Sequence, residues 1–220
     1  MKGETTMRSF KTTSLADQVF ERLENDIIQG TYAKGEILTE LKLVEQLGVS
    51  RTPIREALRR LEQERLIYDS GKGSVVLGIT EEDLLDIMNI RQQIEGLAAY
   101  YATVNMTEEG RAELAHIVDL QDFYYAKWDT EHLRKVDDEF HSVICRLSKR
   151  SVLTDTLLPL HRKTRRYRRI AMEDRERTAQ TMKEHRQMYE AIVSGNAELA
   201  MELTTKHIKN AKIHMIGRDE

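Results

Sequence analysis

The sequence predicts a mainly α protein, with an N-terminal winged helix-turn-helix over residues 1–78 and a C-terminal all-helical bundle over residues 79–220. Three observations carry this. Proline occurs only twice in 220 residues, at Pro53 and Pro159, so almost nothing interrupts helical hydrogen bonding. Apolar residues recur at three- and four-residue spacing through nearly the whole chain. The one stretch that breaks this period, Leu66 to Leu77, has two short apolar runs around a glycine-rich centre.

Residues 1–12 are polar and are expected to fray. Ser14-Leu15-Ala16-Asp17 has the form of a capping box, and Leu15, Val19, Leu23 and Ile27 then mark a helix that Gly30 ends. Thr31 to Leu38 reads as a connector containing Gly35. Thr39 caps a short helix with Leu41, Val44 and Leu47 as its apolar positions, Gly48 makes the turn, and Ser50 opens the next helix. Leu66-Ile67-Tyr68 and Ser74-Val75-Val76-Leu77 form a hairpin around Asp69-Ser70-Gly71-Lys72-Gly73, which after a helix-turn-helix is a wing.

Thr80-Glu81-Glu82-Asp83 starts the bundle with a second capping box. Its first helix should run to about Val104, with Leu84, Ile87, Ile90, Ile94, Leu97 and Tyr101 inward. A second helix runs from Thr107 to Lys127 and a third from Thr130 to Ser148. A fourth spans Val152 to Met172, with a bend expected at Pro159. A fifth spans Thr178 to Ser194, and Asn196 caps a sixth through Ile213.

Hydrophobic residues make up 40% of the chain and charged residues 32%, enough for a core and for solubility. No apolar run approaches the roughly 20 residues a membrane span needs, no signal-peptide core follows Met1, and the single cysteine, Cys145, excludes an internal disulfide framework. The expected location is the cytoplasm, with no membrane partner. Net charge is −3, and residues 1–78 balance 12 Lys/Arg against 12 Asp/Glu, so any affinity for nucleic acid must come from placement rather than bulk charge.

Placement is what the helix after Ser50 supplies. Ser50 is a suitable N-cap, and Pro53 is tolerated in the first turn, where N–H groups have no helical partner. Arg51, Arg55 and Arg59 follow at i, i+4 and i+8, beside an apolar stripe of Ile54, Leu58 and Leu61. One face is anchored and the adjacent face is cationic, as a helix in a DNA major groove requires; the plainer reading is a solvated helix with surface arginines. Lys72, at the hairpin tip, is placed to reach a phosphate or the minor groove, unless the hairpin only closes the domain.

A second constellation lies in the bundle. Asp137 and His141 share the apolar side of the third helix, His185 lies among Met182, Met188, Tyr189 and Ile192 in the fifth, and His207 is in line with Leu199, Leu203 and Ile208 in the sixth. A buried carboxylate is costly unless paired or bound to metal, and one divalent transition ion (Zn, Ni, Mn or Fe) would satisfy all four groups while leaving positions open for an anion or water. For any one of these histidines alone, a core imidazole is the simpler reading. His116, His132, His161 and His214 show no such convergence, Cys145 reads as a small buried residue, and Trp128 as packing near a helix end. The basic run His161 to Arg169 reads as a solvated face, with a pocket for an acidic effector as the alternative. Arg91, one turn before Glu95, is either a buried ion pair or a carboxylate clamp.

The segment Leu15–Val76 resembles the winged helix of GntR-type bacterial repressors, most closely over Leu47-Gly48-Val49-Ser50-Arg51-Thr52-Pro53-Ile54-Arg55-Glu56-Ala57-Leu58. The bundle, through Asp137-x-x-Phe140-His141, Glu184-His185 and His207, resembles the ligand domain of the FCD (FadR-like) branch of that family. The resemblance implies a homodimeric transcription factor, a repressor more often than an activator, that binds double-stranded DNA at a palindromic operator. In it Arg51 and Arg55 would read bases, Thr52 and Arg59 would assist, and Lys72 with Gly73 would serve the wing. Asp137, His141, His185 and His207 would hold the metal, and Arg91 would contact a small anionic metabolite. The chain departs from the family at Leu41, where a basic residue is common, with Lys42 next to it. The residues leave two other functions open: a metal-dependent hydrolase or oxygenase using the same Asp and His groups, which would need a general base that has no distinct motif here, and a direct metal-ion sensor.

Overall fold

A computed structural model describes residues 14–217; the N-terminal segment expected to fray lies outside them. The chain divides into two compact units with the boundary between Ile79 and Thr80.

In the first unit, helix α1 (Leu15–Gln29) opens on a complete Ser14–Asp17 capping box and stops at Gly30, whose φ of 80° is left-handed. Helix α2 (Glu40–Leu47) is capped by the Thr39 hydroxyl and ends at Gly48, φ 66°. Helix α3 spans Arg51–Gln63. Strands β2 (Ile67–Asp69) and β3 (Ser74–Val76) form the expected hairpin. A third strand, β1 (Ile37–Leu38), pairs antiparallel with the outer side of β3, giving the order β1-β3-β2. The connector expected at Thr31–Leu38 therefore ends in a strand, one too short to show alternation in the sequence. Leu23, Leu38, Leu43, Ile54, Leu61 and Leu66 are completely buried and make the core. The inward position of α2 is Leu43; Leu41, expected to face inward, is 58% exposed.

The second unit is entirely helical among the described residues. Helix α4 (Glu81–Val104) opens on the Thr80–Asp83 capping box, α5 spans Glu108–Lys127, and α6 spans Thr130–Leu147. The expected fourth helix is two: α7 (Ser151–Lys163) and α8 (Arg165–Ala171), interrupted at Thr164 and not at Pro159, which lies inside α7. The Thr164 hydroxyl donates to the carbonyl oxygens of His161 and Leu160, offering the backbone a local alternative to the helical ladder. Helix α9 (Arg175–Val193) starts one turn earlier than the sequence suggests, because Asp174 accepts from the N–H groups of Glu176 and Arg177. Helix α10 runs from Ala197 to Ile216. Ile90, Leu97 and Leu199, expected inward, are exposed.

Two features hold the bundle in register around its polar centre. Phe140, Leu114, Ile117, Ala99, Met188 and Ala200 pack in its main apolar cluster. Gly96 lets α4 and α10 approach closely: a Cβ there would stand 2.5 Å from Thr205 Oγ1 and 3.0 Å from the Met201 carbonyl oxygen.

Candidate metal centre and nucleic-acid interface

Helix α3 buries Pro53, Ile54, Ala57, Leu58 and Leu61 and leaves Arg51, Thr52, Arg55 and Arg59 exposed. The cationic stripe is thus in solvent while the neighbouring stripe is anchored. Arg55 Nε donates to Glu40 Oε1 at 2.7 Å, so its guanidinium is held against the start of α2. Ser50 occupies the N-cap with extended backbone, but its hydroxyl makes no capping hydrogen bond, contrary to expectation. Arg60, the next residue along α3, turns away from the stripe; it pairs with Asp17 at 2.6 Å and lies over the Phe20 ring.

At the hairpin tip, Asp69 Oδ1 accepts from the Gly71 N–H and the Ser70 hydroxyl donates to the Gly73 carbonyl, leaving Lys72 exposed between them. Gly73 has φ 140°, and a Cβ on it would lie 2.8 Å from Ile37 Cγ2 and 2.9 Å from the Leu38 carbonyl oxygen. Its role here is to let β1 close on the hairpin. A groove between α3 and the hairpin is lined by Arg55 and Arg59 but also by Glu40, Glu62 and Asp69.

In the bundle, α6, α9 and α10 bring His141, His185 and His207 together, each buried, with one ligand atom apiece within 4.8 Å of the others. The outer nitrogens have partners. His207 Nδ1–H donates to Glu184 Oε2 at 2.7 Å, which leaves the Nε2 lone pair facing the cluster. His185 Nδ1 lies 3.2 Å from Gln121 Oε1, and His141 Nδ1 lies 3.6 Å from Glu95 Oε2. The Nε2 atoms of His185 and His207 are 3.4 Å apart. With metal–nitrogen bonds of about 2.0–2.1 Å, that separation subtends about 110° at an ion, a normal ligand angle. Burial holds His141 and His185 well below the usual imidazole range, in the neutral form a metal needs. Burial would push the Glu184 carboxyl up, but hydrogen bonds from His207, Asn210 and Gln180 hold it at about 2. The donor set fits a divalent transition ion.

Asp137 is buried as expected, with Oδ1 3.9 Å from His185 Nε2. Its Oδ2 accepts from Arg168 at 3.1 Å. Burial raises the pKa of Asp137, and the Arg168 guanidinium opposes the rise. Arg91 is fully withdrawn from water, bonded through Nε to Glu95 at 2.5 Å and through a terminal nitrogen to Thr164 Oγ1 at 2.9 Å. It is a buried ion pair, and it also lines the cavity beside the histidines.

Three residues that sequence reasoning passed over belong here. His161, assigned no convergence, is buried with Nε2 2.8 Å from Glu95 Oε1, and its ring lies beside that of His141. Arg168, placed in a solvated basic face, is buried and pairs with Asp137 and Asp138, and its second terminal nitrogen has no partner. Arg177 joins Arg91 and Arg168 in lining the cavity, together with Asp137, His141 and His207. Helical phase within α7 offered a signal for His161, which falls four residues after the buried Leu157, but the dense run of cations that follows masks any apolar stripe. Cys145 packs with Ala98 and Leu157, and burial pushes its thiol well above the usual range.

The chain matches two family profiles: "Bacterial regulatory proteins, gntR family" over residues 15–76 and "FCD domain" over residues 86–210. The chain belongs to the GntR family and carries an FCD domain. Among its GntR relatives, the transcriptional regulator YdhC of Bacillus subtilis is 27% identical, covering 93% of this chain and 92% of that protein. The probable D-xylose utilization operon transcriptional repressor of Paenarthrobacter nicotinovorans is 26% identical over 93% of this chain and 90% of its own length. Among solved structures, McbR/YncC of Escherichia coli superposes with a TM-score of 0.76 at 24% identity, covering 90% of this chain and 94% of that one, which establishes the shared fold. These GntR relatives are transcription regulators, not enzymes. No helix among the described residues is long and apolar enough to cross a membrane.

Proposed function

We infer that this GntR regulator is a repressor whose DNA affinity is set by a small organic acid held at a metal site in the FCD bundle. The N-terminal unit, about residues 1–78, is the DNA reader and acts as one half of a cytoplasmic homodimer on a palindromic site. Arg51 and Arg55 contact base edges. Ser50, Thr52 and Arg59 contact the backbone or neighbouring bases, and Lys72 and Gly73 carry the wing to the adjacent groove. In the bundle, His141, His185, His207 and Asp137 hold a divalent transition ion. When bound, that ion supplies an electrophilic centre for a carboxylate.

One observation carries this reading: three arginines, the buried Arg91 and Arg168 and the half-buried Arg177, line the cavity beside the imidazole cluster, and Arg168 has a buried nitrogen without a partner. An anion is the chemistry that satisfies such a site. The cavity volume is only about 30 Å³, room for roughly two water-sized ligands. An organic acid therefore has to displace side chains of α8 or α9 on entry, and a ligand that binds one arrangement better than the other shifts the population between them. The same small volume favours, as a second reading, direct sensing of the metal ion with water completing its shell.

The test selects operator DNA from a random pool with the zinc-loaded full chain. Fluorescence anisotropy then follows binding at fixed salt with chelator, Zn(II), or Zn(II) plus succinate, malonate, lactate or citrate. A shift on adding an acid to the zinc form supports the acid reading, and a response to Zn(II) alone supports the sensor. An affinity indifferent to all of them would remove regulation through this site.

A further inference from the structure

Helix α2 turns one large apolar side chain to solvent. Along the helix Leu41, Lys42, Glu45 and Gln46 are exposed, and Leu41, at 58%, is the most exposed large apolar side chain among the described residues of the N-terminal unit. A single exposed leucine is ordinary; the neighbours of this one are not. The preceding residue, Glu40, accepts from Arg55 Nε through Oε1 at 2.7 Å. That hydrogen bond, with the charge of Arg51 added to it, holds the Glu40 carboxyl below the usual carboxylate range. The first turn of α2 therefore stands against the cationic stripe of α3. Lys42, which follows Leu41, is committed to Glu36 at 2.9 Å. What the first turn of α2 adds to the surface of Arg51, Thr52 and Arg55 is thus a leucine.

We propose that Leu41 is a specificity-determining residue of the DNA reader, packing against the C5-methyl group of a thymine in the major groove, one base step from the pair that Arg55 contacts. The proposal rests on the DNA-reading role assigned above to α3 and adds a base to what that role recognises. Thymine is the one base that presents an apolar group at the major-groove edge, and an apolar side chain is what meets it. A leucine offers no donor or acceptor to the other base edges, so it gains most where its burial also removes a methyl group from water. The spacing suits this. Consecutive Cα atoms are about 3.8 Å apart and successive base pairs about 3.4 Å, so the step from Glu40 to Leu41 matches the step from one base pair to the next. With Nε given to Glu40, Arg55 meets a base through its two terminal nitrogens, which match O6 and N7 of guanine. Arg55 and Leu41 together then read a guanine beside a thymine.

The test takes operator DNA selected from a random pool with the full chain and replaces the thymines of each half-site, one position at a time, with uracil. Uracil lacks the methyl group and keeps every hydrogen-bonding atom. Fluorescence anisotropy at fixed salt compares the wild type with Leu41→Ala and Leu41→Met, with circular dichroism as the check on folding. One thymine per half-site is expected to matter: uracil there should weaken the wild type about fourfold, and roughly 15-fold when both half-sites carry it. Leu41→Ala should bind the thymine operator at least as weakly as the wild type binds the uracil one, and should be indifferent to the replacement. Leu41→Met, which keeps an apolar side chain of similar reach, should retain most of the discrimination. Leu15→Ala, at an exposed leucine of α1, should retain all of it. A half-site without thymine, uracil that costs the wild type nothing, or uracil that costs the wild type and Leu41→Ala the same at every position would overturn this role for Leu41 and leave the DNA reader standing. A pool from which the chain enriches no sequence would overturn the DNA-reading role itself.

Discussion

Arg51 and Arg55 lie on one stripe of α3, yet only Arg55 is tied to a carboxylate, at Glu40. A guanidinium already held in place loses less freedom on meeting a base edge, so Arg55→Ala is expected to cost more DNA affinity than Arg51→Ala. A good bidentate base contact discriminates by about 1–3 kcal/mol, so each variant should lose roughly 10- to 100-fold in specific binding at constant salt. Arg60→Ala, by contrast, removes a pair to Asp17 and a stack on Phe20 and should lower stability by about 1 kcal/mol with DNA affinity nearly unchanged. Equal losses of DNA affinity in all three would remove the special role of the stripe. In the bundle, Glu184→Gln leaves His207 without its anionic acceptor and is expected to weaken Zn(II) binding roughly 10- to 100-fold, read by competition with a chromophoric chelator. At this scale the sequence exposed those groups that stand at fixed phase among apolar neighbours: Asp137, His141, His185 and His207. It hid Arg168, because a buried arginine inside the run Arg162 to Arg169 looks like its exposed neighbours until a partner such as Asp137 on another helix is known.

Elements were legible where a cap and a period coincide. The Ser14 and Thr80 capping boxes, the glycine stops at Gly30 and Gly48, and the hairpin after Leu66 all stand where local chemistry puts them. What local chemistry does not encode was missed. Strand β1 is two residues long and exists because Gly73 lets it approach. The break between α7 and α8 falls at Thr164, whose hydroxyl also accepts from Arg91 on α4, a tertiary contact. The outward turn of Ile90 and Leu97 cannot be separated from core packing by period alone. The pairing of α4 with α10 yields its own prediction. Alanine normally stabilises a helix interior over glycine by about 1 kcal/mol. At Gly96 the new methyl would meet the Met201 backbone and the Thr205 hydroxyl, so Gly96→Ala is expected to destabilise by roughly 1–3 kcal/mol. A rise in melting temperature would show that α4 and α10 pack less closely than this.

For the whole molecule, histidine placement makes one unit acid-sensitive and leaves the other without that sensitivity. All seven histidines lie at or beyond His116, none in the DNA-reading unit. Burial depresses His141, His161 and His185 in the folded bundle, while in the unfolded chain each titrates near 6.5. Below that pH the unfolded chain takes up protons that the folded one does not, so bundle stability is complete above about pH 7 and falls on acidification. By pH 5.5 the loss is on the order of 1 kcal/mol for each of His141 and His185, with His161, whose depression Glu95 opposes, adding less, or roughly 5–10 °C in melting temperature altogether. The depressed Glu184 acts in the same direction further down, between about pH 4.5 and its folded value of about 2, whereas the raised Asp137 acts oppositely, since its protonation is favoured in the folded state. Trp128, the only tryptophan, lies in the bundle at the end of α5, so its fluorescence reports that unit alone. The expected result for chelated protein is a tryptophan-detected transition that drops between pH 7.5 and 5.5 while hydrogen exchange in α1 to α3 keeps its protection. Zn(II) should raise the transition at pH 7.5 and raise it less at 5.5, because protons and metal compete for the same imidazole nitrogens. A transition at the same temperature at both pH values would mean that the imidazoles are already accessible to protons, and the buried cluster would lose its claim to be a preformed metal site.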